Sequence, residues 1–250
     1  MNAVDFHSIS VTYPSQRIPS LKEWLLRGGR ARGEDIHALR DVTFSVTAGD
    51  SFGIIGGNGA GKSTLVRVAA GIIPPSGGEA TTRGVVAPII ELGTGFEGEL
   101  SGRENIFFNG ALLGRSRAFM KRVIDEIIDF ADIGAEFIDA PLRTYSTGMV
   151  ARIAFAIATT IEADIVLLDE VLAVGDVRFR ERCYERIRQF HASGATIVLV
   201  SHDMHAVEDL CSRAAWLDHG RLRATGTSHD VIDAYTRATQ KRGPEALVRA

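Results

Sequence analysis

Residues 56–64 read GGNGAGKST. Gly56, Gly61, Lys62 and Ser63 stand at the spacing of a phosphate-binding loop, with a strand-like run before them and a helical pattern after. In such a loop Gly56, Gly57, Asn58, Gly59, Ala60 and Gly61 turn backbone N–H groups inward on β- and γ-phosphate oxygens, where a side chain would collide. Lys62 adds a positive charge, and the helix that starts around Ser63 and Thr64 adds the positive end of its dipole. The Ser63 hydroxyl is placed to ligate Mg²⁺. A second group of residues completes the chemistry. In DIVLLDE, residues 164–170, Asp169 ends a buried strand and can reach the shell of that metal. Glu170 follows it and can orient and deprotonate an attacking water. Alone, a glycine-rich turn is just a turn, and two acids at a strand end are a cap or a solvated edge. Together they specify phosphoryl chemistry on a nucleotide.

These residues need a scaffold that delivers them to one place. The chain has 250 residues and a net charge of −3. That is enough length for one α/β domain with an embedded subdomain, and the charge makes no general case for a nucleic-acid partner. Cys183 and Cys211 lie far apart without metal-ligand spacing, and read as free, reduced thiols. The first residues, MNAVDFHSIS, lack the pattern of a secretory signal, and no apolar run is long enough to span a bilayer. Ile9, Val11 and Tyr13, then Val42, Phe44 and Val46, alternate as half-buried strands do. SFGIIG, DIVLLDE and ATIVLVSH are short apolar runs of the kind that form buried parallel strands. The first leads into a helical pattern through Leu65, Val68, Ala69 and Ile72, and helical stretches around 178–192 and 203–210 follow the other two. RLRATG predicts an edge strand, SHDVIDAYTRAT a last helix, and the tail from about 240 is polar. Strand–helix alternation of this kind places ligand chemistry at the carboxyl ends of parallel strands. The stretch of about 101–162 lacks strand signals and reads as an inserted helical subdomain, with core sequence on either side at about 1–100 and 163–240.

A third motif separates this chain from kinases and GTPases, which also use phosphate loops. YSTGMVARIAFA, residues 145–156, resembles the signature segment of ATP-binding cassette (ABC) proteins. The resemblance covers essentially the whole chain. It implies an ABC-type nucleotide-binding domain: a mostly parallel core sheet, an antiparallel β subdomain and a helical insertion. It also implies a homodimer in which ATP lies between the phosphate loop of one copy and the signature of the other. Ser146, Thr147 and the Gly148 N–H would then meet the γ-phosphate of the opposite copy's ATP. His202, in SHD, would reach the same phosphate, and Asp176, in VGD, would lie at the dimer seam. Tyr13 stands where the family keeps its adenine platform, with His37 as its competitor. Two departures stand out: Tyr145 and Met149 occupy positions where the family commonly has Leu and Gln. The glutamine that usually links Mg²⁺ to the membrane partner falls near IIELGTGF, where Glu91 is the nearest polar residue.

YSTGM, ELGTGF, LSGRENIFFNGALLG and GTSHDVIDAY are together similar to a narrower group, the ATP-binding subunits of bacterial exporters of O-antigen, capsule and teichoic acid. Long members of that group add a carbohydrate-binding domain beyond the point where this sequence stops. The resemblance implies an ATPase bound peripherally at the cytoplasmic face of the inner membrane, with a polytopic permease as partner and a lipid-linked polysaccharide as cargo. A soluble ABC ATPase acting on nucleic acid or ribosomes is the rival; it would carry long coiled coils or two cassettes in one chain. A small-molecule kinase would need no signature. Residues 14–36 are an insertion between the first two strands. Leu21, Trp24, Leu25 and Leu26 give it an apolar side, followed by Arg27, Arg30 and Arg32. That composition suits a membrane–water interface or the pyrophosphate end of a lipid-linked glycan, and equally a solvated loop with Trp24 packed on the sheet.

Overall fold

The computed structural model describes residues 1–14, 35–90, 92–160, 162–170 and 175–242. Glu91, the insertion with Trp24, Arg27, Arg30 and Arg32, Val174 of VGD and the tail beyond 242 lie outside the described residues. The chain is α/β, with core strands that are mostly parallel and a separate antiparallel sheet. It divides into two compact units, one from the described parts of 1–48, 52–83 and 200–250, the other from 49–51 and 84–199.

The first unit carries the antiparallel sheet. Strands β1 (Asn2–Tyr13), β2 (Ile36–Thr47) and β4 (Gly77–Thr82) lie in the order β2-β1-β4. The alternating residues meet across the ladder, with Val4 opposite Val46, Phe6 opposite Phe44 and Ile9 opposite Val42, all of them buried. Phe44 also stacks on Phe52, ring centroids 5.3 Å apart. Phe52 belongs to β3 (Ser51–Ile55), whose five residues are all buried, as a central parallel strand requires. Strand β3 runs parallel to β8 (Arg213–Asp218), and β9 (Arg221–Thr227) closes antiparallel on β8. Helices α1 (Lys62–Ala69), α6 (Met204–Leu210) and α7 (Ser228–Arg242) belong to this unit. Tyr235 of α7 meets Trp216 of β8 edge-on at 5.7 Å.

In the second unit β5 (Val86–Ile89) pairs in parallel with β6 (Ile165–Asp169), and β7 (Thr196–Val200) flanks β6. The helices are α2 (Gly102–Leu112), α3 (Arg117–Ala131), α4 (Thr147–Ala158) and α5 (Val177–Ala192). Phe130 of α3, Phe155 of α4 and Phe179 of α5 form one aromatic cluster with centroids 5.7 to 6.2 Å apart. Aromatic pairs at these separations contribute about 0.5–1.5 kcal/mol each beyond their buried area.

Three strands carry no signal that periodicity could catch. Strand β4 (GGEATT) is glycine-led and polar, β5 (VAPI) contains a proline, and β8 (RAAWLD) is short. Each is a strand because of what it pairs with. Ile72 is a correction as well: α1 stops at Ala69, and Ile72 is exposed in the turn beyond it. Among the described residues no helix is long and apolar enough to cross a membrane. The thiols of Cys183 and Cys211 are buried and unpaired, and burial pushes both up to about 12.

Candidate active site

The first unit builds the phosphate loop between β3 and α1. Gly56 holds φ at 150°, and a Cβ there would sit 2.2 Å from the Leu217 carbonyl oxygen of β8. Gly61 holds φ at 100°, with a Cβ position 2.5 Å from the Ala38 carbonyl oxygen of β2. Neither obstacle is a side chain that could turn away, so both positions require glycine. The loop thus rests on two strands, while Cβ positions at Gly57 and Gly59 face open space. The loop curls around its own cation: the Lys62 Nζ donates to the carbonyl oxygens of Gly56 and Gly57, both at 3.0 Å, and the residue is only 6% exposed. Helix α1 is capped by Gly61, which has no side chain to offer, and has no acid in its first turn. Helices α2 to α6 instead begin on a Ser or Asp whose oxygen accepts a first-turn N–H. The start of α1 therefore fits an anion in place of a cap.

Sequence reasoning missed what buttresses this loop. The Ala60 carbonyl accepts from Gly220 N–H at 3.0 Å, and the Gly220 carbonyl accepts from Arg40 N–H at 2.8 Å. The β8–β9 hairpin turn is therefore wedged between the phosphate loop and β2. The "DHG" turn signal at 218–220 was available, but nothing in it points to the loop.

His202 is exposed just after β7, and Asp203 beside it caps α6 by accepting from the N–H groups of His205 and Ala206. Tyr13 pairs with Ile36, and His37 pairs with Thr12, whose hydroxyl lies 3.0 Å from the His37 Nδ1. Successive residues on a strand point to opposite faces. The Tyr13 and His37 rings therefore lie on opposite faces of this ribbon, and only one of them can share a face with a nucleotide.

The second unit brings Asp169, Glu170 and the signature helix. Residues 165–168 of β6 are fully buried, Asp169 is half-buried and Glu170 exposed. Glu170 sits at φ 55°, in the left-handed region that a residue with a Cβ disfavours by about 1 kcal/mol or more. Ser146 caps α4, its oxygen accepting from Met149 N–H. A Cβ on Gly148 would meet nothing nearer than the Ser146 hydroxyl at 3.8 Å, so this turn presents an open surface. Tyr145, in the family's leucine position, is buried, with its hydroxyl donating to the Phe137 carbonyl at 2.6 Å and its ring edge-on to Phe137. Burial pushes its phenol above the ordinary value.

The SGREN stretch explains why the signature turn holds its place. Ser101 and Glu104 form a reciprocal cap on α2. Arg103 forks onto Asp139 at 2.7 and 3.2 Å. Asn105, fully buried, accepts from Glu97 N–H and donates to the carbonyls of Glu97, Leu100 and Ser101. Backbone bonds from Leu142 to Leu100 and from Arg143 to Gly98 join this loop to the chain leading into Tyr145. Gly102 completes the contact, because a Cβ there would lie 2.2 Å from the Tyr145 hydroxyl.

The metal expectation rests on Ser63 and Asp169; Glu91 is outside the described residues. Among the described residues there is no cluster of three or more His, Cys, Asp or Glu side chains suited to a metal. A hydroxyl in the first unit and a carboxylate in the second are each the oxygen donor type that Mg²⁺ takes beside phosphates and water.

A family model described as ABC transporter matches residues 39–173, from β2 to just beyond Glu170. The chain belongs to the ABC transporter family. The cassette is an ATPase of that type. It is 42% identical over 241 residues to the O-antigen export system ATP-binding protein RfbB of Klebsiella pneumoniae, covering 94% of this chain and 98% of the relative. It is 43% identical to the corresponding RfbE protein of Yersinia enterocolitica, covering 89% and 97%. It is also 39% identical to the teichoic acids export ATP-binding protein TagH of Bacillus cereus, covering 93% of this chain and 42% of that longer one. Among solved structures, a dimeric bacterial ABC transporter cassette superposes with a TM-score of 0.73 at 19% identity, covering 90% of the cassette and 98% of that chain. An ATP-binding subunit of an ABC transporter superposes with the same score at 23% identity, covering 94% and 93%. At those identities the two structures speak for the fold.

Proposed function

We propose that the cassette is the ATP-hydrolysing subunit of an exporter that moves a lipid-linked polysaccharide across the bacterial inner membrane through a separate polytopic permease. The observation that carries this reading is 42% identity, across nearly the full length of both chains, to an O-antigen export subunit. The cassette works as a homodimer held peripherally on the cytoplasmic face by its permease.

In this reading the loop of residues 56–64 binds the ATP phosphates, with Lys62 between β- and γ-oxygens. Ser63 and Asp169 would hold Mg²⁺, which would supply charge neutralisation at the phosphoryl group. Glu170 takes a proton from the attacking water, and His202 contacts the γ-phosphate. Tyr13 stacks on adenine. The open turn of Ser146, Thr147 and Gly148 meets the γ-phosphate bound by the second copy, adding the N-terminus of α4 to the site. ATP binding closes the dimer and hydrolysis reopens it, and that cycle moves the permease.

Export is tested in cells lacking the cassette. Lipid-linked polysaccharide should accumulate inside and vanish from the surface; the wild-type cassette should restore it and Glu170→Gln should not. Unchanged surface polysaccharide in the deletion strain would overturn the cargo assignment.

A further inference from the structure

Arg152 lies one helical turn beyond Gly148 on α4, and it is tied down from three sides. One guanidinium nitrogen, Nη2, donates to the Asp176 carboxylate at 2.7 Å. The other, Nη1, donates to the Asp132 carbonyl at 3.2 Å and lies 3.6 Å from the Asp132 carboxylate. The guanidinium carbon also lies 5.0 Å from the centroid of the Phe179 ring. The side chain is only 17% exposed, whereas that of Asp176 is 62% exposed. Each partner is itself a structural terminus. Asp132 ends α3 in the left-handed conformation, and Asp176 starts α5 by accepting from Phe179 N–H at 2.9 Å. The Asp176 carboxyl is held below its ordinary range first by that N–H, with Arg152 adding to it. One planar cation thus joins the C-terminus of α3, the signature helix and the turn that opens α5, six residues after Glu170.

We propose that Arg152 is a positioning residue that fixes the signature helix to the Asp176 turn, so that the phosphate-contacting turn at Ser146–Gly148 is held at a set angle to the end of α3 and the start of α5. This rests on the composite-site reading above. A fork with fixed geometry suits the task better than an ammonium on a flexible stem, which could satisfy one partner but not the other in the same plane. The aromatic cluster of Phe130, Phe155 and Phe179 keeps the three helices packed without the guanidinium. Loss of Arg152 is therefore expected to loosen the angle between them and leave the fold in place.

The variants are Arg152→Met, which keeps a long apolar stem on Phe179, Arg152→Lys, and Asp176→Asn, which keeps an acceptor for the Phe179 N–H while losing the charge. Steady-state ATPase kinetics, binding of a fluorescent ATP analogue and thermal unfolding are measured for each. Arg152→Met and Asp176→Asn should each lower kcat roughly tenfold, the scale of a charge-assisted hydrogen bond, with KM and analogue affinity unchanged. The double variant should be no worse than either single one, and Arg152→Lys should recover part of kcat. Unchanged kcat in Arg152→Met, or single losses that multiply in the double variant, would overturn the proposal. So would a drop in unfolding temperature with kcat intact, which marks a purely structural role. Failure of the composite site itself shows elsewhere: Gly148→Asp would then hydrolyse ATP like the wild type.

Discussion

Glu170 carries a backbone conformation that its residue type disfavours, directly after the half-buried Asp169. Strain of that kind persists where surrounding structure holds it, here the end of strand β6, whose residues 165–168 are fully buried. The carboxylate is exposed, consistent with a group that must meet water. Replacing it by the amide of the same shape, Glu170→Gln, should leave ATP affinity within about twofold and lower turnover by roughly 10²–10⁴, the range for loss of a general base. Turnover near the wild-type rate would remove Glu170 from the chemistry. Tyr13 and His37 offer a second test on single residues. Because they face opposite ways from the β1–β2 ribbon, one ring alone can stack on adenine, a contact worth about 1–3 kcal/mol for a base. Tyr13→Ala should weaken ATP binding roughly tenfold and His37→Ala should not, as read by titration with a fluorescent ATP analogue. The reverse outcome would assign the platform to His37.

At the scale of elements, the departure at the head of the signature has a steric explanation. Tyr145 reaches under the start of α2 and occupies the room that Gly102 leaves empty. Gly102→Ala should therefore destabilise the chain by about 1–3 kcal/mol, the cost of overpacking a filled site. Adding Tyr145→Leu, which removes the obstructing hydroxyl, should recover most of that loss. Thermal unfolding of the two single variants and the double one measures the coupling; purely additive effects would show that the two residues are independent. The family was legible because its motifs are local runs: the glycines of 56–61, the apolar strand before Asp169, the small polar turn before α4. What stayed hidden depends on remote partners. Strand β4 becomes a strand only through its ladder with β1, and Gly220 supports the phosphate loop across a long stretch of sequence. Asn105 reads as a polar residue inside a helix until its three carbonyl partners are seen. The Tyr145–Gly102 contact joins residues more than forty apart, with no shared pattern to connect them.

For the whole molecule, the central claim is that one copy binds ATP and a second copy completes the site. The two halves should then fail in different ways. Lys62→Ala removes the charge around which the phosphate loop is folded and should abolish nucleotide binding itself. Gly148→Asp projects a carboxylate from an open turn, so it should leave the fold and ATP binding of the single copy intact while repelling the γ-phosphate held by its partner. The most direct measurement is sedimentation of the Glu170→Gln cassette with ATP, with ADP and without nucleotide, alongside the same chain carrying Gly148→Asp. The account predicts a dimer with ATP alone, reduced to a monomer by Gly148→Asp although the monomer still binds ATP. A Glu170→Gln chain that stays monomeric in saturating ATP, or a Gly148→Asp chain that dimerises as readily as its parent, would contradict it.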